Sequence, residues 1–478
     1  MMSHFETCQS PLKNIISYPT PRDQEERYMS LGFETSRAFN MNYFYFKILD
    51  DYERDRVRHL EQFDEFEEWH LKCSHYVLIM SVKGIKAGEQ LTRLDSLLPS
   101  TNGWKWESLL TAKCITSTHL QRFGHASACS GSGDIVVFGG FGLDGKQHAR
   151  LSSASLVSNY ERECGGAVNC LNLPIHCIGA TSDSIPSLIF HSLTALGNEH
   201  FLVAGGRGSP LAPSSAFYFL SLKYNEHAGD DASFLNESKP KKDVVLEWTE
   251  LEMCGDPIVG RWRHSASLIS TEDDDKCVFL FGGRTSNFVL DDAVEINVKT
   301  RTINMLENVG VVPGARHSHS AAVYNQEIIV SGGLTESETA LSDVYVVQIL
   351  MRGSKKAAVW EKVDLVPAIE PRYCHTSHVC GDFLFLVGGI QMIGGGCGGL
   401  TIINMRLHSA ISFHLPDCSP GKPILLHKHT SELLWDRDKR TGRILIIGGG
   451  GTCFSFGTHI NCGIFIVELD REFALAFN

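Results

Sequence analysis

A short apolar run stopped by two glycines recurs six times along the chain. The copies are Val136-Val137-Phe138-Gly139-Gly140, Leu202-Val203-Ala204-Gly205-Gly206, Phe279-Leu280-Phe281-Gly282-Gly283, Ile329-Val330-Ser331-Gly332-Gly333, Leu386-Val387-Gly388-Gly389 and Leu445-Ile446-Ile447-Gly448-Gly449. Each run is too short for a helix and rich in β-branched residues, so it reads as a strand buried on both faces. The doublets fall 66, 77, 50, 56 and 60 residues apart. Self-similarity at that period predicts the blades of a β-propeller.

A second feature precedes the doublets. It reads Arg122-Phe123-Gly124-His125, Arg261-Trp262-Arg263-His264, Arg316-His317-Ser318-His319 and Arg372-Tyr373-Cys374-His375, with His191-Ser192 and His427-Lys428-His429 in the same place without the arginine. Acidic-apolar strands such as Asp343-Val344-Tyr345-Val346-Val347 follow, and then tryptophans at Trp248 and Trp360. Arg-x-x-His, Gly-Gly, Asp-Val-Tyr and Trp in that order resemble the kelch repeat. The fold class expected is mainly β: a six-bladed kelch propeller over 102–478, after a small α/β segment over 1–84 and a polar linker over 85–101. Trp104 to Leu110 stands as a lone strand ahead of the first copy, while the last copy ends at a third strand near Cys462-Gly463. The expectation is that Trp104 to Leu110 completes the sixth blade and closes the ring, which removes two open sheet edges.

The first 84 residues follow another pattern. Apolar positions at helical spacing predict a helix over 22–31 stopped at Gly32, a strand over 33–41, and helical structure over 42–59 broken at Asp50-Asp51. Asp64 is placed to cap a helix over 65–75 with an acidic first turn, and an apolar strand over 76–82 ends at Gly84. Two strands cannot bury these helices alone, so the segment reads as the closing part of an α/β sheet and as a sticky surface.

The wording Leu60-Glu61-Gln62-Phe63-Asp64-Glu65-Phe66-Glu67-Glu68-Trp69, with Cys73-Ser74-His75-Tyr76 and Gln24-Glu25-Glu26-Arg27-Tyr28, resembles the C-terminal end of the leucine carboxyl methyltransferase family. Joined to a kelch propeller, it resembles the branch of that family that acts in wybutosine synthesis. The resemblance implies an S-adenosylmethionine-dependent enzyme in the cytoplasm, with phenylalanine tRNA as partner. It implies methylation of a side-chain carboxylate on the modified guanosine, followed by transfer of a methoxycarbonyl group. Family members hold S-adenosyl-L-methionine in an N-terminal half, through a glycine-rich turn after one strand and an acidic residue after the next. No such strand-turn-helix precedes Met1-Met2-Ser3-His4-Phe5. The expectation is a chain without the cofactor-binding half, through a truncated gene model, an alternative start or a splice form, and inactive alone. No catalytic or cofactor-binding residue is carried over. The rival reading is a kelch protein–protein interaction module without chemistry, and a third is carboxyl methylation of a phosphatase C-terminus.

Composition narrows this little. Hydrophobic residues make up 43% and charged residues 21% of the 478, as in ordinary globular chains. With a net charge of −12, nothing in the totals predicts nucleic-acid binding by bulk electrostatics, though a local basic surface could still exist. Neither an apolar stretch long enough for a membrane helix nor a secretory signal pattern is present. Fifteen unevenly spaced cysteines suggest reduced thiols, and Cys164, Cys170, Cys177 and His176 fit no common zinc spacing.

Two sets of residues invite a chemical reading. The repeated histidines His125, His264, His319 and His375 are expected to do one packing or hydrogen-bonding job in every blade, and no metal is expected. Arg122, Arg261, Arg316 and Arg372, with Arg207 and Arg284 directly after a doublet, are expected near one end of the channel. There they could form a substrate or partner face that grips phosphate or carboxylate, or they could pair with acidic residues of the blades. Asp64, Glu65, Glu67 and Glu68 read as a solvated face of a helix start. The long stretch over 223–243 reads as an exposed insertion, 271–276 as an acidic hairpin turn, and 394–399 as a glycine-rich blade turn.

Overall fold

The computed structural model describes residues 2–84 apart from 61, 62 and 64, and 106–469 apart from 108–109, 159–167, 179–184, 226–242, 271–275, 393–395, 416–423, 437–440 and 454–456. The linker over 85–101, Trp104, Asp64, Cys164 and most of the 223–243 insertion lie outside the described residues. The chain divides into two units: Met1–Trp104 with Gln391–Gly396, and Lys105–Ile390 with Cys397–Asn478.

In the first unit, Thr20 and Asp23 cap the helix Pro21–Ser30 reciprocally, and Gly32 ends the turn at φ +85°. Thr35–Asn40 pairs antiparallel with Val77–Val82. Asn40 then accepts from the Tyr43 amide at 2.8 Å to start the turn Met41–Tyr43, and Asp50 caps Asp51–Arg58 through the Glu53 amide. Leu31, Tyr52, Leu60, Trp69 and Met80 are exposed apolar side chains. One expectation is corrected here. Glu67 and Glu68, read as solvated, are 0% and 8% exposed, because the helix Phe66–His75 turns its first residues inward along with Phe66, His70 and Cys73.

The second unit holds six blades, two of which, blades 3 and 4, are joined into one sheet where Thr302–Gly310 runs parallel to Lys355–Val363. Blade 1 takes its inner strands from Ala126–Cys129 and Ile135–Phe138, and the next four blades follow in chain order with inner strands Ser192–Gly197, Ser265–Ser270, Ser320–Tyr324 and Arg372–Cys380. Blade 6 begins with Thr430–Asp436. Neighbouring inner strands touch all the way round, with Thr430–Asp436 meeting Ala126–Cys129 to complete the circle.

The uninterrupted apolar runs follow from this geometry. Each second strand is sandwiched between two blades, so both of its faces are buried. Val136 and Phe138 pack on blade 2 with Phe201 and Val203, whereas Ile135 and Val137 pack on blade 6 with Leu445 and Ile447. The same alternation gives a separate core for each remaining pair of neighbours. Each fully buried Leu, Ile or Phe contributes roughly 1.5–3 kcal/mol. Trp248 and Trp360 close two of these cores from the outer strands.

Closure uses a different strand from the one expected. Thr111–Thr116 pairs antiparallel with Gly463–Leu469 and becomes the outermost strand of blade 6. Trp106–Glu107, within the expected segment, instead runs parallel to Ser412–Phe413 of blade 5. The tryptophan pattern pointed too early. Thr111-Ala112-Lys113-Cys114-Ile115-Thr116 lacks an apolar run because an outermost strand is only partly covered, but its Ala112 and Cys114 face blade 5 and its Ile115 faces blade 1.

The doublets have no room for side chains. A Cβ on Gly205 would stand 2.7 Å from the His264 ring and 2.6 Å from the Arg261 carbonyl, at φ +62°. Gly145, at φ +61°, has nothing within 4 Å. Gly205→Ala is expected to destabilise by about 2–4 kcal/mol and Gly145→Ala by about 1 kcal/mol. Urea unfolding of the two variants checks this, and equal losses would remove steric closeness as the cause.

Candidate anion-binding mouth of the propeller

Every repeated histidine sits between two blades. The His125 ring faces Gly448 of blade 6 while its Cβ rests on Gly140 of its own blade. His191, His264, His319, His375 and His429 repeat the arrangement against Gly139, Gly205, Gly282, Gly332 and Gly388. The ring nitrogens then meet hydroxyls on the preceding blade: His125 Nε2 lies 2.9 Å from Thr430 Oγ1, His264 Nε2 3.0 Å from Ser192 Oγ, and His319 Nε2 2.9 Å from Ser265 Oγ. Each of these hydroxyls directly follows that blade's own histidine. His375 reaches Ser331 Oγ at 3.1 Å, itself bonded to Ser320, and His191 faces a blade where Ala126 takes the hydroxyl position. These histidines do one framework job.

Burial depresses their basicity. His191 falls to about 4 and His319 and His429 to about 3, chiefly by desolvation, while His125, His264 and His375 are pushed well below the ordinary value by burial and neighbouring cations. A depressed folded pKa makes the unfolded chain bind more protons below about 6.5, so this stability is complete above that pH and is lost as pH falls toward 3–4. Glu432, raised to about 7 by burial, acts oppositely between its unfolded value and 7, but it is one group against six. The urea midpoint is expected to drop steeply from pH 7 to pH 5; a flat profile would contradict neutral, buried imidazoles.

The arginines of the motif are withdrawn from the surface. Arg122, Arg261, Arg316 and Arg372 are 2%, 1%, 1% and 0% exposed. In each, Nη1 donates to the carbonyl of the first glycine of its own doublet, at 3.0, 3.2, 3.1 and 3.3 Å. Arg261 and Arg316 add bidentate pairs with Asp292 and Asp343. Arg372 reaches Thr401 Oγ1, and Arg122 reaches the His119 and Ser153 carbonyls. Burial lowers Arg122 and Arg372 to about 10, so both stay charged at neutral pH. In blade 6, which lacks the arginine, Asn461 Nδ2 donates to the Gly448 carbonyl at 2.7 Å. A motif arginine is held inside its blade, so these four do not make an accessible ring.

A circle about the propeller axis is built two residues beyond the arginine, at the third position of the motif. Gly124, Phe190, Arg263, Ser318, Cys374 and Lys428 precede the six histidines, and all have positive φ. Their backbones form a chain of hydrogen bonds around the axis: Gly124 N–H donates to Lys428, Phe190 to Gly124, Arg263 to Phe190, Ser318 to Arg263 and Cys374 to Ser318, at 2.7–3.0 Å. The Arg263 guanidinium stacks 4.2 Å from the Phe190 ring centre and extends Nη1 to Ser318 Oγ at 3.0 Å and Cys374 Sγ at 3.6 Å. It therefore spans blades 2 to 5. Lys428 Nζ stands 5.3 Å from the Phe123 ring centre.

Arg207 and Arg284 join this cluster from the positions after their doublets. Arg207 lies 5.6 Å from the Phe190 centre and 5.0 Å from that of Trp262, and Arg284 lies 5.6 Å from Trp262. The result is a ladder, Arg263–Phe190–Arg207–Trp262–Arg284, of cations alternating with rings. Stacking on an aromatic face fixes each guanidinium plane. Of the six arginines singled out in the sequence, only Arg207 and Arg284 are brought together here. Arg263 and Lys428 were missed; the signal was the third motif position, which varies while its neighbours repeat.

The cofactor implied by the sequence resemblance finds no match in the described residues of the first unit. Thr35–Asn40 leads directly into a helical turn capped by Asn40, with no glycine between, and Gly32 is followed by a strand and not by a helix. A ribose-gripping acid after a second parallel strand is also missing among them, since the two strands run antiparallel.

Arg261→Lys, which loses the bidentate pair, is expected to cost about 2–4 kcal/mol, and half-exposed Arg284→Gln less than about 0.5 kcal/mol. Denaturant midpoints distinguish framework from surface arginines; reversed costs would refute the assignment.

Comparison with known proteins adds two findings. The KLHDC2/KLHL20/DRC7 Kelch-repeats domain matches residues 167–389, so the chain carries kelch repeats. The chain is similar to tRNA wybutosine-synthesizing protein 4 of Rattus norvegicus, 33% identical over 474 residues, covering 96% of this chain and 64% of the relative. The protein of that name from Homo sapiens is 33% identical over 467 residues with the same coverage, and that from Candida glabrata is 25% identical over 482 residues. The chain thus spans somewhat under two-thirds of the length of these relatives.

Proposed function

We propose that this chain serves wybutosine synthesis on phenylalanine tRNA, with the propeller mouth as a tRNA-contacting surface. The names and coverage of the relatives support the pathway. The observation that carries the surface is the ladder of Arg263, Arg207 and Arg284 on Phe190 and Trp262, with Lys428 opposite, in a protein of net charge −12. A confined cationic patch on an acidic protein attracts one anionic element and repels polyanions elsewhere.

The reaction in this reading is carboxylate methylation by S-adenosyl-L-methionine followed by methoxycarbonylation. In this reading no step is assigned to the described residues beyond gripping phosphate or carboxylate and orienting the base. The methyl-donor pocket would come from other residues, and the chain is inactive alone in this reading. Titration with S-adenosyl-L-methionine is expected to give no binding; micromolar affinity would contradict it.

The surface is tested by tRNA binding at several salt concentrations. Replacing Arg284 and Lys428 together by Gln should weaken phenylalanine tRNA binding about tenfold or more and lower the salt slope by about two. Unchanged affinity and slope would remove the mouth from the tRNA interface. Absence of tRNA binding by the unaltered chain would favour the protein-interaction reading.

A further inference from the structure

The strand pair that closes the ring carries two thiols in contact. Cys114 lies within Thr111–Thr116, and Cys462 directly precedes Gly463–Leu469. Their sulfurs are 3.2 Å apart, although 348 residues separate them along the chain. Both side chains are half-buried against the core between blades 5 and 6, and neither sulfur is joined in a disulfide. The neighbouring backbone is fixed: Ser117 N–H donates to the Cys462 carbonyl at 2.9 Å, and the ladder runs from Gly463↔Thr116 to Glu468↔Thr111. A disulfide needs an S–S distance of about 2.05 Å, so each sulfur has to move roughly half an ångström.

We propose that Cys114 and Cys462 are a redox modification site, a dithiol that oxidises to a disulfide and makes the ring closure covalent. The oxidant class is a low-molecular-weight disulfide. One protein thiolate attacks a sulfur of that disulfide, forming a mixed disulfide and expelling one small thiolate. The second protein thiolate then attacks the protein-bound sulfur, forming the Cys114–Cys462 bond and expelling the other small thiolate. The protein loses two electrons and two protons overall, and the small disulfide gains them as two thiols.

The location gives the bond its consequence. In the reduced chain, Thr111–Thr116 is joined to the last strand only by a backbone ladder and by the packing of Ala112, Cys114 and Ile115. Its departure would expose the edge of blade 6 and uncover the cores on either side. A covalent tie across the longest loop in the propeller removes that opening from the accessible states of the chain.

The test uses the full 478-residue chain, reduced and then exposed to oxidised glutathione. Free thiols are blocked, and peptides are mapped without reduction. The expected product is one cross-linked peptide joining Cys114 to Cys462, absent from C114S and from C462S. Oxidised wild type should melt about 4 °C or more above reduced wild type, and amide exchange across Thr111–Thr116 should slow about tenfold or more. That wild-type comparison stands even where a serine variant folds poorly. The proposal is overturned if the two cysteines stay separately alkylatable or carry separate glutathione adducts. It is equally overturned if the cross-link forms without change in melting or exchange.

Discussion

The contact between an imidazole of one blade and a bare glycine backbone of the blade before it holds the propeller's register. Each histidine fills the space that a side chain on the first glycine would need, and its own Cβ fills the space above the second glycine. The motif arginine then ties down the carbonyl of that first glycine from the same blade. Glycine, histidine and arginine therefore recur together because each occupies or satisfies what the others leave open. Six cores, one per pair of neighbouring blades, supply most of the stabilisation, but the histidine contact sets where neighbouring blades meet.

That framework determines what is left for function. Because the histidines of all six blades and the motif arginines of four are consumed by the framework, variation is free only at positions that the framework does not use. The left-handed third residue is such a position. Its backbone serves the hydrogen-bonded circle, while its side chain takes no part in the histidine–glycine contacts. Glycine, phenylalanine, arginine, serine, cysteine and lysine occupy it in the six blades. The cations cluster because Phe190 and Trp262 give them apolar faces on which to stack, so Arg207 and Arg263 sit there nine-tenths buried.

Much of the fold was legible in the residues. The runs ending in Gly-Gly marked the second strand of each blade, and the helices and strands over 21–82 fall within a few positions of the pattern, while the helix Met2–Thr7 was not foreseen. Periodicity suffices there because a strand sandwiched between two blades must be apolar on both faces. The inward turn of Glu67 and Glu68 was hidden, since a helix start with acidic residues looks alike whether or not something covers it. The closing strand was hidden for the reverse reason. Thr111–Thr116 is an outermost strand with mixed residues, and nothing local distinguishes it from a loop.

By itself, then, the sequence determined the repeat, the number of blades and the interchangeable framework residues, because those are written as local periodic patterns. Only the tertiary structure decided which strand closes the ring, which arginines are sealed inside blades, and that Arg263, Arg207 and Arg284 stack on Phe190 and Trp262. It also decided that two cysteines at opposite ends of the propeller sequence touch. These outcomes depend on contacts between residues far apart in the chain, and pairing at that separation leaves no local periodic trace.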